Sequence, residues 1–332
     1  MKVLSLFNGM SFGKMALEAL DVKVDKYYSS EIDKYANQAA QALFPDTIQL
    51  GDVTKWRDWD IDWAGINLVT GGFPCQAWSM AGKQLGDKDE RGMLFWTMLD
   101  IMKHVKYHNP KADFLIENVK MKKEFEEYIT THTKNALGKV HKILINSALV
   151  SAQNRNRYYW TSFAVEQPVN ENIILDDILE DGISEPNSEG WQKWWRINKD
   201  FQLKKKYSAV CNNGSTNKAI TLTARQYSSW NGNFAIIQTG RGNNPGGIRA
   251  IDGKTLCIST SSWSDNNHLT DGEKYRKLTV RENMRLQTVP EHHIDTLLSA
   301  GISNSQLYKM CGNGWTMEVI KHILSAMLNN QE

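Results

Sequence analysis

Residues 71–86 read GGFPCQAWSMAGKQLG, and they place one thiol, Cys75, behind a proline and among glycines and small polar residues. A lone cysteine is most often a small buried hydrophobe. Here it follows the apolar run INLVT at a Gly-rich turn, where a thiolate can be stabilised and reached. Glu117, in DFLIENV, leaves a second apolar run at its carboxyl end. It is either a strand-end cap or a proton donor. A cysteine with a carboxylic acid makes an addition pair: one attacks a ring, the other supplies the ring with a proton. Arg155 and Arg157, in AQNRNRYYW, have alternate spacing and share a face if the segment is a strand. Two fixed guanidiniums suit an oxygen-rich ligand such as a phosphate or a pyrimidine carbonyl; taken alone, the pair fits two surface salt bridges better.

A second group of residues fits a nucleoside. FNGMSFG, residues 7–13, is a Gly-containing turn after a strand, where a ligand can approach the backbone closely. It lacks the full G-x-G-x-x-G pattern and reads equally as a plain tight turn. Glu31, after the next strand, suits ribose hydroxyls or a helix dipole. Asp52, in GDV, can accept from an adenine amino group or shape a turn.

Strands and helices must bring these residues together. KVLSLF, YYSSE, TIQLGDV, INLVT, DFLIENV and KVHKILINSALV read as strands; GKMALEAL, DKYANQAAQALF, GMLFWTMLDIMKHV and KKEFEEYITTHTKNAL read as helices between them. In the third helix Leu94, Phe95, Met98, Ile101, Met102 and Val105 fall on one face. Such alternation predicts an α/β fold, a parallel sheet covered on both faces, with ligands at the carboxyl ends of its strands. After about residue 165 the texture becomes rich in Asn, Gly, Ser and Trp, with short strand candidates AITLTA, NFAIIQT and TLCIST. Helical patterning returns from YRKLTVRENMRLQTVPE onward, and TMEVIKHILSAML puts Val319, Ile320, Ile323, Leu324 and Met327 on one face. The expected division is 1–165, 166–275 and 276–332.

Composition narrows the class. The chain has 332 residues, 41% hydrophobic, and a formal net charge of +2, which allows an acidic partner without demanding one. Cys75, Cys211, Cys257 and Cys311 form no C-x-x-C pair, so neither a zinc site nor a disulfide scaffold is expected, and no metal. The N-terminus lacks a signal-peptide pattern, and no run approaches the ~18 apolar residues of a membrane span. A cytoplasmic protein with no membrane partner is expected.

In order along nearly the whole chain, these motifs resemble the DNA (cytosine-5) methyltransferase family. FNGMSFG, with Phe7, Gly9 and Met10, is similar to the motif that meets the methionine part of S-adenosyl-L-methionine. Glu31 and Ile32 resemble the ribose-binding acid and the adenine-stacking residue, and Asp52 and Val53 the adenine contacts. GGFPCQAWSMAGKQLG resembles the catalytic loop, with Cys75 as nucleophile behind Pro74. Glu117-Asn118-Val119 matches the catalytic Glu-Asn-Val; Gln153, Arg155 and Arg157 match Gln-x-Arg-x-Arg. RENMRLQTVPE resembles the motif that orders the recognition domain, and GNGWTMEVI, with Asn313, the closing motif. Two positions depart from the pattern: Ser11 stands where a second glycine is common, with Gly13 two later, and Gly314-Trp315 where small or β-branched residues are common.

The resemblance implies a Rossmann-like S-adenosyl-L-methionine-dependent sheet, residues 1–165, completed by 276–332, and a smaller loop-rich β recognition domain, 166–275. It implies methyl transfer to carbon 5 of a cytosine flipped out of double-stranded DNA, through a bond from Cys75 to carbon 6. Glu117 would protonate ring N3, Arg157 hold O2, and Arg155 support the loop and Glu117. Gln76, Ser79, Arg225 and Arg241 are the expected DNA contacts. A monomeric prokaryotic or phage enzyme is expected, of the kind that can mark DNA against a cognate restriction endonuclease; the sequence does not say whether a nuclease accompanies it. A tRNA cytosine-5 methyltransferase of the same fold shares the catalytic residues, and a catalytically silent DNA-binding relative shares the fold. A nicotinamide dehydrogenase would explain the sheet and Glu31 but leave Pro74-Cys75 unused.

Overall fold

The computed structural model describes residues 1–74, 90–180, 235–238, 247–249, 255–258, 268–270 and 275–330. Cys75, Gln76, Ser79, Cys211, Arg225 and Arg241 lie outside these residues, as does the expected strand AITLTA.

The first half is the expected alternation. Strands β1 (Lys2–Leu6), β2 (Lys26–Ser30), β3 (Ile48–Gln49), β4 (Leu68–Gly71) and β5 (Asp113–Val119) are interleaved with helices α1 (Phe12–Glu18), α2 (Lys34–Leu43), α3 (Glu90–His108) and α4 (Lys123–Leu137). Strands β6 (His141–Asn146), β7 (Gln153–Asn154) and β8 (Asn156–Thr161) follow. Seven of these strands form one sheet in the order β3-β2-β1-β4-β5-β8-β6. It is not wholly parallel as expected: β8 runs antiparallel to both β5 and β6. A short return after β6 permits a hairpin but not the helical crossover that a parallel pair needs.

Register does the positioning. Leu6 of β1 pairs with Ser30 of β2 and Gly71 of β4, and Gly71 pairs with Ile116 of β5. The next residues, Phe7, Glu31, Gly72 and Glu117, therefore form a row across the carboxyl edge of four strands. Along β1 the pleat sends Val3 to one core and Leu4 and Leu6 to the other. The predicted face of α3 is buried from Phe95 to Val105 on one side of the sheet.

Past residue 165, Leu175 and Ile178 join the main core. Strands β9 (Ala235–Gln238), β10 (Gly247–Arg249), β12 (His268–Thr270) and β13 (Tyr275–Lys277) form an antiparallel sheet in the order β10-β9-β12-β13. Strand β11 (Thr255–Leu256) pairs parallel with β7. The chain then returns through α5 (Val280–Leu286), α6 (Glu291–Ser299), α7 (Asn304–Asn313) and α8 (Met317–Asn329). A capping box at Thr279 and Glu282 starts α5. Helix α8 packs on α1, with Val319, Ile320, Ile323, Leu324 and Met327 buried as predicted.

Candidate active site

A cavity of about 480 Å³ opens along the row of strand ends. One wall is the turn after β1. Phe7, Gly9 and Ser11 all have positive φ, at 56°, 57° and 68°. Two are not glycines, so the turn must be held by its neighbours. Asn8 does this: its Nδ2 donates to Ser11 Oγ at 2.8 Å, and its Oδ1 accepts from Tyr27 at 3.0 Å. The serine in the usual glycine position is thus kept left-handed by a buried side-chain bond. Gly9 N donates to Glu31 Oε2 at 2.9 Å, which ties the turn to β2.

Glu31 also accepts from Ile32 N at 2.8 Å and Asp33 N at 2.9 Å, both on Oε1. Three of about four carboxylate acceptor sites are therefore used, and about one remains. The adjacent Ile32 is 76% exposed, a large apolar surface on the cavity wall. Asp33, not Glu31, caps α2, accepting from Tyr35 N and Ala36 N. Lys309 of α7 pairs with it at 2.6 Å. Burial works to raise the Asp33 carboxyl, but Lys309 and the Tyr35 amide outweigh it and hold it below the usual carboxylate range. Asp52 caps the 3-10 turn Val53–Asp58, accepting from Thr54 N and Oγ1, both at 2.8 Å and both on Oδ1. The Thr54 amide and hydroxyl hold its carboxyl below its ordinary value. The expected strand around it stops at Gln49, because the chain turns here.

The opposite wall carries the acid. Glu117 is 8% exposed. Arg157 Nε lies 3.1 Å from its Oε1, and Trp315 Nε1 donates to its Oε2 at 3.0 Å. Phe73, Pro74, Leu94 and Val119 complete this end. The two arginines do not ride one strand as expected, because the strand is interrupted at Arg155, between β7 and β8. Arg155 donates to Gly312 O at 3.1 Å, Gly314 O at 2.7 Å and Ile258 O at 3.3 Å. Its reach is to the loop carrying Trp315; the guanidinium on Glu117 is that of Arg157. Both arginines meet Cys257, Arg155 at 3.1 Å and Arg157 at 3.8 Å.

Phe7, Gly9, Glu31, Ile32, Asp52, Val53, Pro74, Glu117, Arg155, Arg157 and Asn313 line this one cavity. Met10 does not: its side chain is buried in the core beside α1, since the turn that exposes Gly9 points the next residue inward. Away from the cavity, Glu18, His292 and His293 bring three potential metal-ligating atoms within 4.8 Å of one another, a cluster that cysteine spacing does not disclose.

The family model for C-5 cytosine-specific DNA methylase matches residues 1–329. This chain belongs to the C-5 cytosine-specific DNA methylase family. It is 30% identical to the Type II methyltransferase M1.ScrFI of Lactococcus lactis subsp. cremoris, covering 98% of this chain and 78% of that relative. It is 28% identical to the Type II methyltransferase M.NlaX of Neisseria lactamica, covering 98% and 96%. Among solved structures, the Entamoeba histolytica methyltransferase EhMeth superposes with a TM-score of 0.64 at 13% identity, covering 100% of this chain and 99% of that one. The S. pombe Dnmt2 methyltransferase gives 0.60 at 15%, again over 100% and 99%. At these identities the two structures speak for the fold.

In this methylase the two departures from the family pattern meet in space. A Cβ on Gly314 would lie 2.1 Å from Phe12 Cε2, and one on Gly13 3.7 Å from Trp315 Cζ3. Phe12, Trp315, Lys309 and Cys257 were not singled out as site residues from the sequence. Trp315 had a signal, its unusual size within a recognisable motif. Cys257 had none, because its partners lie about a hundred residues away.

Proposed function

We propose that this methylase binds S-adenosyl-L-methionine in the cavity and methylates carbon 5 of a cytosine flipped out of duplex DNA, through a transient bond to Cys75. What carries the reading is that one cavity holds both the nucleoside cradle and the Glu117–Arg157 pair, with Pro74, the residue before Cys75, on its wall. The donor set fits the cofactor. Glu31 has an acceptor site for a ribose hydroxyl, Ile32 offers an apolar face for adenine, and Asp52 Oδ2 can take the adenine amino group. When bound, the cofactor supplies an electrophilic methyl group on a sulfonium.

Carbon 5 of cytosine is a poor nucleophile. The Cys75 thiolate adds to carbon 6, and the displaced electron pair raises the density at carbon 5. Glu117 protonates N3 as the charge develops, and Arg157 holds Glu117 and meets O2. After methylation, loss of the carbon-5 proton and expulsion of the Cys75 sulfur restore the ring. Extrusion of the base costs a few kcal/mol, offset by contacts in the pocket. Residues 166–275, which include most of the antiparallel sheet, read the target. The names of the Type II relatives support a role in marking DNA against a restriction endonuclease.

Incubation with methyl-tritiated S-adenosyl-L-methionine and either plasmid or tRNA tests this, followed by bisulfite sequencing. Label on plasmid at a fixed sequence, lost in Cys75→Ser, is expected. Label on tRNA alone would transfer the chemistry to RNA, and robust methylation by Cys75→Ser would remove the covalent mechanism.

A further inference from the structure

Resting on that reading and going beyond it, we propose that Trp315 is a positioning residue for Glu117: its indole N–H fixes the carboxyl plane in which the proton is delivered. Arg157 alone would hold one oxygen and leave the carboxyl free to turn. The Trp315 bond to Oε2 at 3.0 Å, opposite the Arg157 contact to Oε1 at 3.1 Å, removes that freedom. Each oxygen keeps a second lone pair, so the proton can still be carried. An indole N–H is a donor only and takes no proton itself.

The donor is held before any substrate arrives. Gly72 packs against the bond, since a Cβ there would lie 3.0 Å from both Glu117 Oε2 and Trp315 Nε1. The indole lies across Gly13 at its far edge. The backbone that carries it is clamped through Gly314 O by Arg155 at 2.7 Å and Gln287 at 3.3 Å. Thr316 is fixed next door, donating to Gln287 Oε1 at 2.9 Å. Gly314 itself tolerates no side chain, because Phe12 and the Met310 carbonyl occupy the space. Preorganised donors of this kind act without reorganising during the reaction.

Two substitutions separate positioning from packing. Trp315→Phe keeps a ring and loses the N–H; Trp315→His loses the six-membered ring but keeps an N–H at the equivalent ring position. Turnover is measured on plasmid DNA with cofactor affinity by calorimetry. Release of tritium from 5-tritiated cytosine DNA, with the methyl donor omitted, reports addition at carbon 6 without methyl transfer. Trp315→Phe should lower both methylation kcat and tritium release by about tenfold or more, since the lost hydrogen bond is the one that orients the proton-delivering carboxyl. Cofactor affinity should stay within about twofold, because that variant keeps the cavity wall. Trp315→His should exceed Trp315→Phe in tritium release. The inference is overturned if Trp315→Phe matches the parent protein in both rates, or exceeds Trp315→His in tritium release. A parent protein that methylates no DNA would instead sink the functional reading.

Discussion

Cys257 Sγ accepts a hydrogen bond from Arg155 Nη1 at 3.1 Å across 102 residues of sequence. Burial works to raise the Cys257 thiol, but Arg155 and Arg157 outweigh it and pull the thiol below its ordinary value. A depressed thiol stabilises the fold above the ordinary thiol value of 9.0 and loses that contribution as pH falls through its folded value. The stability advantage of the parent protein over Cys257→Ser should therefore grow as pH rises towards 9.0. Urea denaturation across that range measures it, and a difference that does not change with pH would show that the sulfur is not held as a thiolate.

How much of this site was legible follows from the range of each interaction. Glu31 and Glu117 lie at the carboxyl ends of strands with clear patterning, and register alone brings them into line, whereas Asp52 follows a strand that ends at Gln49 and caps the 3-10 turn Val53–Asp58. The α3 and α8 faces were readable because helical periodicity is local. The antiparallel β8 was not, since strand direction depends on the connection rather than on β8 itself. Nor was the different reach of Arg155 and Arg157, which turns on one interrupted residue between β7 and β8. The Trp315–Glu117 bond spans 198 residues, and nothing near either residue announces it.

Gly314 answers to Phe12. An added methyl would lie 2.1 Å from Phe12 Cε2 and 2.9 Å from the Met310 carbonyl oxygen, and the carbonyl cannot swing aside. Gly314→Ala should cost about 1–3 kcal/mol by overpacking. Phe12→Leu in the same chain should recover part of it, so the double-mutant cycle is non-additive. Chemical denaturation of the three variants reads the coupling; strict additivity would mean that the ring is not what excludes the side chain.

His293 is buried between Glu18 and the ring of Phe44, with Glu18 Oε2 2.6 Å from Nε2 and the Phe44 centroid 5.3 Å away. Burial lowers it below its ordinary 6.5, against the opposing pull of Glu18. The folded state then binds this proton less readily than the unfolded one. Stability is full above 6.5 and falls as pH drops through the depressed folded value. Between about pH 7 and about pH 5 the parent protein should lose stability more steeply than His293→Gln. Parallel slopes in thermal melts would assign the acid sensitivity elsewhere.

Glu31 holds three backbone amides, those of Gly9, Ile32 and Asp33, as well as the proposed ribose contact. Glu31→Gln replaces one acceptor oxygen by a donor. That donor must face at least one of these amides, so a bond is lost whichever way the side chain turns. The Gly9 turn has positive φ at Phe7, Gly9 and Ser11 and depends on this tie to β2. The loss therefore falls on the cofactor cradle, while the Glu117–Arg157 pair at the opposite wall is untouched. Cofactor Kd should rise about tenfold or more. At saturating cofactor, kcat should change by no more than about twofold. Calorimetry and initial-rate kinetics on plasmid DNA separate the two quantities. An unchanged Kd would show that neither the Glu31 carboxylate nor the turn it ties to β2 contributes to cofactor binding, and a large fall in kcat at saturation would show that the cradle and the acid wall are coupled.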